Sequence, residues 1–123
     1  MIPVNPDCKT VLITGGNKGI GFAIAKKFAT EGFNIFISGR DEKALKNAST
    51  QLAKYSDGPS NYFTCDVTNQ NDIKSMIDQV TSVTAIDVLI NNAGIHETKS
   101  FMDYELKDFK RVIETNLYSV FFI

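Results

Sequence analysis

Residues 10–21 read TVLITGGNKGIG, a short apolar run that leads directly into a segment with four glycines. The run at 10–14 predicts a buried strand, and a helical pattern follows at about 18–31. Glycines between a strand and a helix permit a tight turn and let the backbone approach a pyrophosphate closely, while the helix N-terminus offers free N–H groups. The stretch therefore predicts a phosphate-binding turn that opens a βαβ unit.

The rest of the chain alternates β-rich runs with longer helical patterns. Strands are predicted at 34–38, 61–65 and 86–90, and helices from about residues 41, 70 and 103. This alternation indicates right-handed βαβ units around a parallel sheet, so the predicted fold class is α/β. In two of the helices, the spacing of apolar residues predicts one buried face. These residues are Ile20, Ile24 and Phe28 in the first helix, and Leu106, Phe109, Ile113, Leu117 and Val120 in the last.

Composition excludes several classes of protein. The 123 residues are 43% hydrophobic and 22% charged with a net charge of −1, which excludes intrinsic disorder and gives no basic surface for nucleic acid or an anionic membrane. No apolar run reaches the roughly 18–20 residues of a membrane span, and no signal peptide is evident, so we expect a cytoplasmic protein. Cys8 and Cys65 lack metal-ligand spacing and are expected to be free thiols.

Three linked motifs identify a resemblance. The pattern TGxxxGxG occupies 14–21, Asp66-Val67 follows the third predicted strand, and Asn91-Asn92-Ala93-Gly94 follows the fourth. In this order and spacing they resemble the short-chain dehydrogenase/reductase family from about residue 9 to residue 123, most closely its 3-oxoacyl carrier-protein reductases and small carbonyl reductases. The resemblance implies a doubly wound Rossmann sheet in the strand order 3-2-1-4, in one domain over residues 1–123.

The resemblance also implies a set of site residues. Asp66 would accept a hydrogen bond from the adenine amino group, Val67 would pack on the ring, and Asn116 would support a proton-relay water near a catalytic lysine. Glycines of the turn would hold the pyrophosphate, and the turn after the fourth strand would line the path of the ribose and brace the sheet. The implied cofactor-binding residues are Gly15, Asn17, Lys18, Gly19, Ile20, Gly21, Arg40, Asp66, Val67, Asn91, Ala93 and Gly94. No metal ligand is implied.

The residue after the second strand indicates which of the two nicotinamide cofactors, NAD(H) or NADP(H), is bound. A carboxylate there bonds the ribose hydroxyls of NAD(H) and repels the 2′-phosphate of NADP(H). This chain has Gly39 at that position with Arg40 next to it, and Lys18 supplies a second cation. An arginine fork and a lysine charge suit a phosphate dianion, so we predict NADP(H) rather than NAD(H).

No Tyr-x-x-x-Lys motif occurs, since none of the four tyrosines is followed four places on by lysine. In the family this motif and the catalytic serine lie on the fifth strand and the helix after it, so the resemblance implies that both fall after residue 123. We therefore expect residues 1–123 to be the cofactor-binding half of an oxidoreductase acting on a small carbonyl or alcohol, ending inside the helix after strand four, without strands five to seven. The exposed fourth strand and apolar last residues would then favour a homo-oligomer. The alternatives are a catalytically inactive nucleotide-binding or interaction module, and another Rossmann enzyme.

Overall fold

The computed structural model describes residues 2–123, which form one four-stranded parallel sheet in the order β3-β2-β1-β4. Its central strands are almost wholly buried, as the uninterrupted apolar runs predict. The α/β class and the strand order 3-2-1-4 are thereby confirmed. The strands are β1 (Thr10–Thr14), β2 (Asn34–Gly39), β3 (Ser60–Thr64) and β4 (Val88–Ile90).

Helices cover both faces of the sheet. The side chains of α1 and α2 join one apolar cluster and those of α3 join the other, so the chain crosses from one face to the other between β3 and β4. No helix within residues 2–123 is long and apolar enough to span a bilayer. The helices are α1 (Gly19–Thr30), α2 (Glu42–Leu52), α3 (Gln70–Thr81), α4 (Leu106–Ile113) and α5 (Ser119–Phe122); a 3₁₀ turn (Phe101–Asp103) precedes α4, and a π-helical turn (Glu114–Tyr118) joins α4 to α5.

Several predicted boundaries move by one to three residues. The third strand begins and ends one residue earlier than expected, and the fourth is confined to its last three residues. Asn69 caps α3 by accepting from the N–H groups of Asn71 and Asp72. The last helix begins at Leu106 rather than near residue 103, because the chain first makes the 3₁₀ turn.

The buried face of α1 differs from the predicted one. Gly21, Ala25 and Ala29 face the sheet, whereas Ile20 is 75% exposed. Small residues bring the helix axis close to the strands, and the larger side chains of Ile24 and Phe28 pack along its flank. Helical periodicity identifies the face with the largest apolar side chains, whereas close packing against a sheet favours the face with the smallest ones.

The prediction of one inward apolar face for the last helix is wrong. Phe109, Leu117 and Val120 are exposed, and the buried residues are Asp108, Thr115 and Ser119. In α4, Lys99 of the preceding loop bonds to Asp108 on the face that packs inward. After α4, the π-helical turn adds a residue to one turn and so shifts the register of Leu117 and Val120 relative to α4.

Candidate functional site

All four strands end at the same edge of the sheet, so the loops that follow them lie together. The strand order reverses between β1 and β4, where the glycine turn at 15–18 meets the turn at 91–94. In open α/β sheets, ligands bind at such a reversal, outside the carboxyl ends of the strands. The fold therefore brings the three sequence motifs to one edge.

Glycine is required at specific positions of the turn after β1. Gly15 and Gly19 have φ of +66° and +56°, in the left-handed region that other residues rarely adopt. A Cβ on Gly21 would overlap the carbonyl oxygen of Gly15 and the side-chain nitrogen of Asn92. Lys18 is the N-cap of α1 but forms no side-chain cap, and the first turn has no acidic residue. The N–H groups at this helix end are thus available to an anion.

A hydrogen-bond brace fixes this turn to the loop after β4. The Asn92 amide donates to the carbonyl oxygens of Thr14 and Gly15 at 3.1 Å each, and the Thr14 hydroxyl accepts from the N–H groups of Asn92 at 3.1 Å and Ala93 at 2.9 Å. The sequence reasoning missed Thr14 and Asn92 and assigned a place to Asn91, which is exposed. The alternation of side chains along a strand could have identified Asn92, because it lies two residues after the inward-facing Ile90 and so points to the same side.

Two cations stand near the ends of β1 and β2. Lys18 and Arg40 are exposed, and neither forms an ion pair with another of residues 2–123. Asp41, which follows Arg40, caps α2 by accepting from the N–H of Ala44 at 3.0 Å. The Asp41 carboxylate therefore caps the helix and forms no ion pair with Lys18 or Arg40.

Asp66 lies two residues after the end of β3. Its Oδ1 accepts from the amide of Thr68 at 2.9 Å and from the Thr68 hydroxyl at 2.7 Å, while Oδ2 has no hydrogen bond among the described residues. These bonds, aided by the charge of Arg40, lower the pKa of Asp66, which keeps a carboxylate acceptor at this edge. Val67 is 7% exposed and belongs to the core, so little of its side chain is left to pack on a ring.

Asn116 lies in the π-helical turn and clasps the loop after β4. Its Oδ1 accepts from the N–H of Ile95 and its Nδ2 donates to the carbonyl of Ile95, each at 2.8 Å. Gly94 lies beside this clasp, because a Cβ there would be 3.3 Å from Asn116 Oδ1. One lone pair of Oδ1 and one hydrogen of Nδ2 are used on the backbone of Ile95, so the Asn116 side chain is held against the loop after β4.

Two ion pairs hold the same loop to α4. Lys99 pairs with Asp108 at 2.9 Å, and Arg111 pairs with Glu97; the two carboxylate side chains are only 8% and 11% exposed. The hydrogen bond from the Glu105 amide, followed by that from Lys99, lowers the pKa of Asp108. The loop at 95–99 is therefore attached to α4 at several points.

Comparisons with known proteins agree with this geometry. A family model described as short chain dehydrogenase matches residues 9–123. The 3α-hydroxysteroid dehydrogenase of Mediterraneibacter gnavus is 33% identical over 115 residues, which are 92% of this chain and 46% of that protein. The 3-oxoacyl-[acyl-carrier-protein] reductase FabG of Chlamydia muridarum is 34% identical over 114 residues, again 92% and 46%. The chain thus spans about half the length of these curated relatives.

Solved structures give the same result. An actinorhodin polyketide ketoreductase with NADPH has 30% identity and a TM-score of 0.89 over 95% of this chain and 45% of that one. The NADP complex of Pseudomonas aeruginosa RhlG has 28% identity and a TM-score of 0.85 over 93% and 44%. With the three motifs gathered at one edge of a sheet in the order 3-2-1-4, and the family model matched over residues 9–123, this chain belongs to the short-chain dehydrogenase family of oxidoreductases.

Proposed function

We propose that the chain binds NADP(H) and forms the cofactor-binding part of a short-chain oxidoreductase that acts on a small carbonyl or alcohol. The observation that carries the proposal is the presence of two exposed cations, Lys18 and Arg40, that form no ion pair within residues 2–123, with Lys18 at the N-terminus of α1, which has no side-chain cap. Gly39 leaves no carboxylate at the end of β2 to repel a 2′-phosphate. The NADP and NADPH complexes among the similar structures support the same choice.

Different residues at the carboxyl edge of the sheet would bind different parts of the cofactor. Gly15, Gly19, Ile20 and Gly21 would admit the pyrophosphate to the N-terminus of α1, and Lys18 and Arg40 would hold the 2′-phosphate. The free Oδ2 of Asp66 would accept from the adenine amino group. Asn17, Val67, Asn91, Ala93 and Gly94 would complete the walls. When bound, the cofactor supplies or accepts the hydride, and Asn116 would position the loop that faces the reacting end.

Removal of one cation tests the cofactor preference. We expect Arg40→Ala to raise the dissociation constant of NADPH about tenfold and that of NADH less than about twofold, because only NADPH carries the 2′-phosphate. Isothermal titration at low and high salt measures both constants, and salt should reduce the difference. Lys43→Ala, which removes an exposed cation three residues along, is the matched control. Equal affinity of the unsubstituted protein for the two cofactors would contradict the proposal.

We further propose that the protein self-associates through the apolar surface of the segment 101–122. Phe101, Met102 and Phe121 are 86%, 87% and 85% exposed, and neighbouring positions of α4 and α5 are also apolar. An apolar patch of this kind marks an association surface. In sedimentation velocity, Phe121→Asp should shift the protein toward the monomer, while Thr81→Asp on the exposed face of α3 should not. A monomer at every concentration would contradict this proposal.

The two free thiols are consistent with a reducing compartment, and we propose a cytoplasmic location on this basis.

The two thiols should differ in reactivity. Cys65 is 1% exposed, and burial, with the nearby carboxylates of Asp72 and Asp66, raises its pKa to about 11. At pH 8 we therefore expect a disulfide reagent to modify only the half-exposed Cys8 in the native protein, and both thiols in denaturant. Cys8→Ser should abolish the native reaction. Rapid native modification of Cys65 would contradict the expectation.

A further inference from the structure

A cavity of about 480 Å³ lies at the amino edge of the sheet, opposite the edge that carries the proposed cofactor site. Its walls include Cys8, Gly32 and Gly58, which shortly precede β1, β2 and β3 respectively. Small-molecule sites in proteins commonly have volumes of about 300–1,000 Å³. The family model matches residues 9–123, so part of this cavity is built by residues that the family model does not match.

The wall that precedes β1 is held in place by Asn34, the fully buried first residue of β2. Oδ1 of Asn34 accepts from the N–H of Asn5 at 2.8 Å, and its Nδ2 donates to the carbonyl oxygens of Asn5 at 2.9 Å and of Cys8 at 3.1 Å. Ile2 and Val4 pack against the apolar cluster on the α3 side of the sheet. This wall is therefore fixed before any ligand arrives, which lowers the conformational cost of binding.

Two side chains of opposite charge line the cavity. Lys54 and Asp57 are exposed, and neither forms an ion pair within the part of the chain that the structure describes. Tyr55 also lines the cavity and is 42% exposed, and the Lys26 ammonium stands 4.3 Å from the centroid of its ring. Both α1 and α2 end at this cavity, and the partial negative charge of helix C-termini favours a cationic group there.

We propose that this cavity binds a small zwitterion, an α-amino acid with an aromatic or large apolar side chain. Asp57 and the two helix ends would hold the ammonium group, Lys54 would hold the carboxylate, and the Tyr55 ring would pack against the side chain. A ligand with one charge would leave either Lys54 or Asp57 without a partner, whereas a zwitterion satisfies both. The site lies away from the cofactor edge, so the inference does not depend on the proposed function.

The thiol of Cys8 reports on occupancy, because it is half-exposed and lines the same cavity. Its rate of alkylation by iodoacetamide, an uncharged reagent, is measured with and without L-phenylalanine as the probe. We expect millimolar phenylalanine to slow the alkylation at least about threefold, with saturation, because a bound molecule covers the thiol. Phenethylamine lacks the carboxylate and hydrocinnamate lacks the ammonium group, so each should protect Cys8 less than phenylalanine does.

Two substitutions assign the charges. Lys54→Ala should remove the advantage of phenylalanine over phenethylamine, and Asp57→Asn should remove its advantage over hydrocinnamate. Lys46→Ala, which removes an exposed lysine of α2 outside the cavity, is the matched control and should change neither. Cys65 is buried, so its continued resistance to alkylation shows that each variant is folded. Equal protection by the three compounds, protection that neither charge substitution alters, or no protection at all would overturn the proposal and leave the proposed function intact.

Discussion

Gly21→Val should abolish measurable NADPH binding, with a loss of at least about 100-fold in affinity, and should lower the free energy of unfolding by about 3 kcal/mol. The physical reason is the absence of room, since even one added carbon would overlap the Gly15 carbonyl and the Asn92 amide. The substitution must move α1 away from the sheet or break the brace. Either movement displaces the N–H groups proposed to hold the pyrophosphate.

Calorimetric titration with NADPH and urea denaturation measure the two effects of Gly21→Val. Ala23→Val is the matched control, because Ala23 is exposed on the same helix and receives the same β-branched side chain. It should cost only the difference in helix propensity, about 0.6 kcal/mol, and leave NADPH affinity within about twofold. A Gly21→Val protein that binds NADPH normally would show that the close contact of α1 with the glycine turn is unimportant for the cofactor.

Asn92→Leu should lower the free energy of unfolding by about 3 kcal/mol. Leucine has the same branched skeleton but donates no hydrogen bond, so the carbonyl oxygens of Thr14 and Gly15 lose the donor that joins them to the loop after β4. Each unsatisfied, partly buried carbonyl costs about 1–3 kcal/mol. Because β4 itself pairs with β1 over only three residues, few other bonds compensate.

Asn91→Leu is the control for the brace, since the neighbouring amide is exposed and forms no hydrogen bond among the described residues. Its free energy of unfolding should change by less than about 0.5 kcal/mol. Urea midpoints at pH 7 distinguish the two variants. Equal losses would contradict the assignment of the brace to Asn92 rather than to Asn91.

The sequence predicts the sheet well because the signals that determine it are local. A run such as residues 10–14 is typical of a strand buried on both faces of a parallel sheet, and the glycines that follow favour a tight turn into a helix. Strand order follows from the family resemblance together with the handedness of βαβ units. The position of the site at the strand ends is therefore predictable before any coordinates exist.

The parts that the sequence does not predict depend on contacts between distant residues. The choice of Asn92 over Asn91 is made by Thr14, which lies 78 residues earlier in the chain. The buried face of α4 includes Asp108, which pairs with Lys99 of the preceding loop, and this contact leaves no mark in the periodicity of apolar residues.

The stripe of Gly21, Ala25 and Ala29 on α1 has a consequence for how far this protein can change. Most buried faces tolerate exchange among apolar residues of similar volume, but here the smallest side chains already define the gap between helix and sheet. Apart from alanine to glycine, any change of size at this stripe is an increase, and each increase moves the helix end that faces the proposed cofactor. Adaptation of the site to a new ligand is therefore confined to its rim, where residues such as Lys18 and Arg40 can vary without moving the helix.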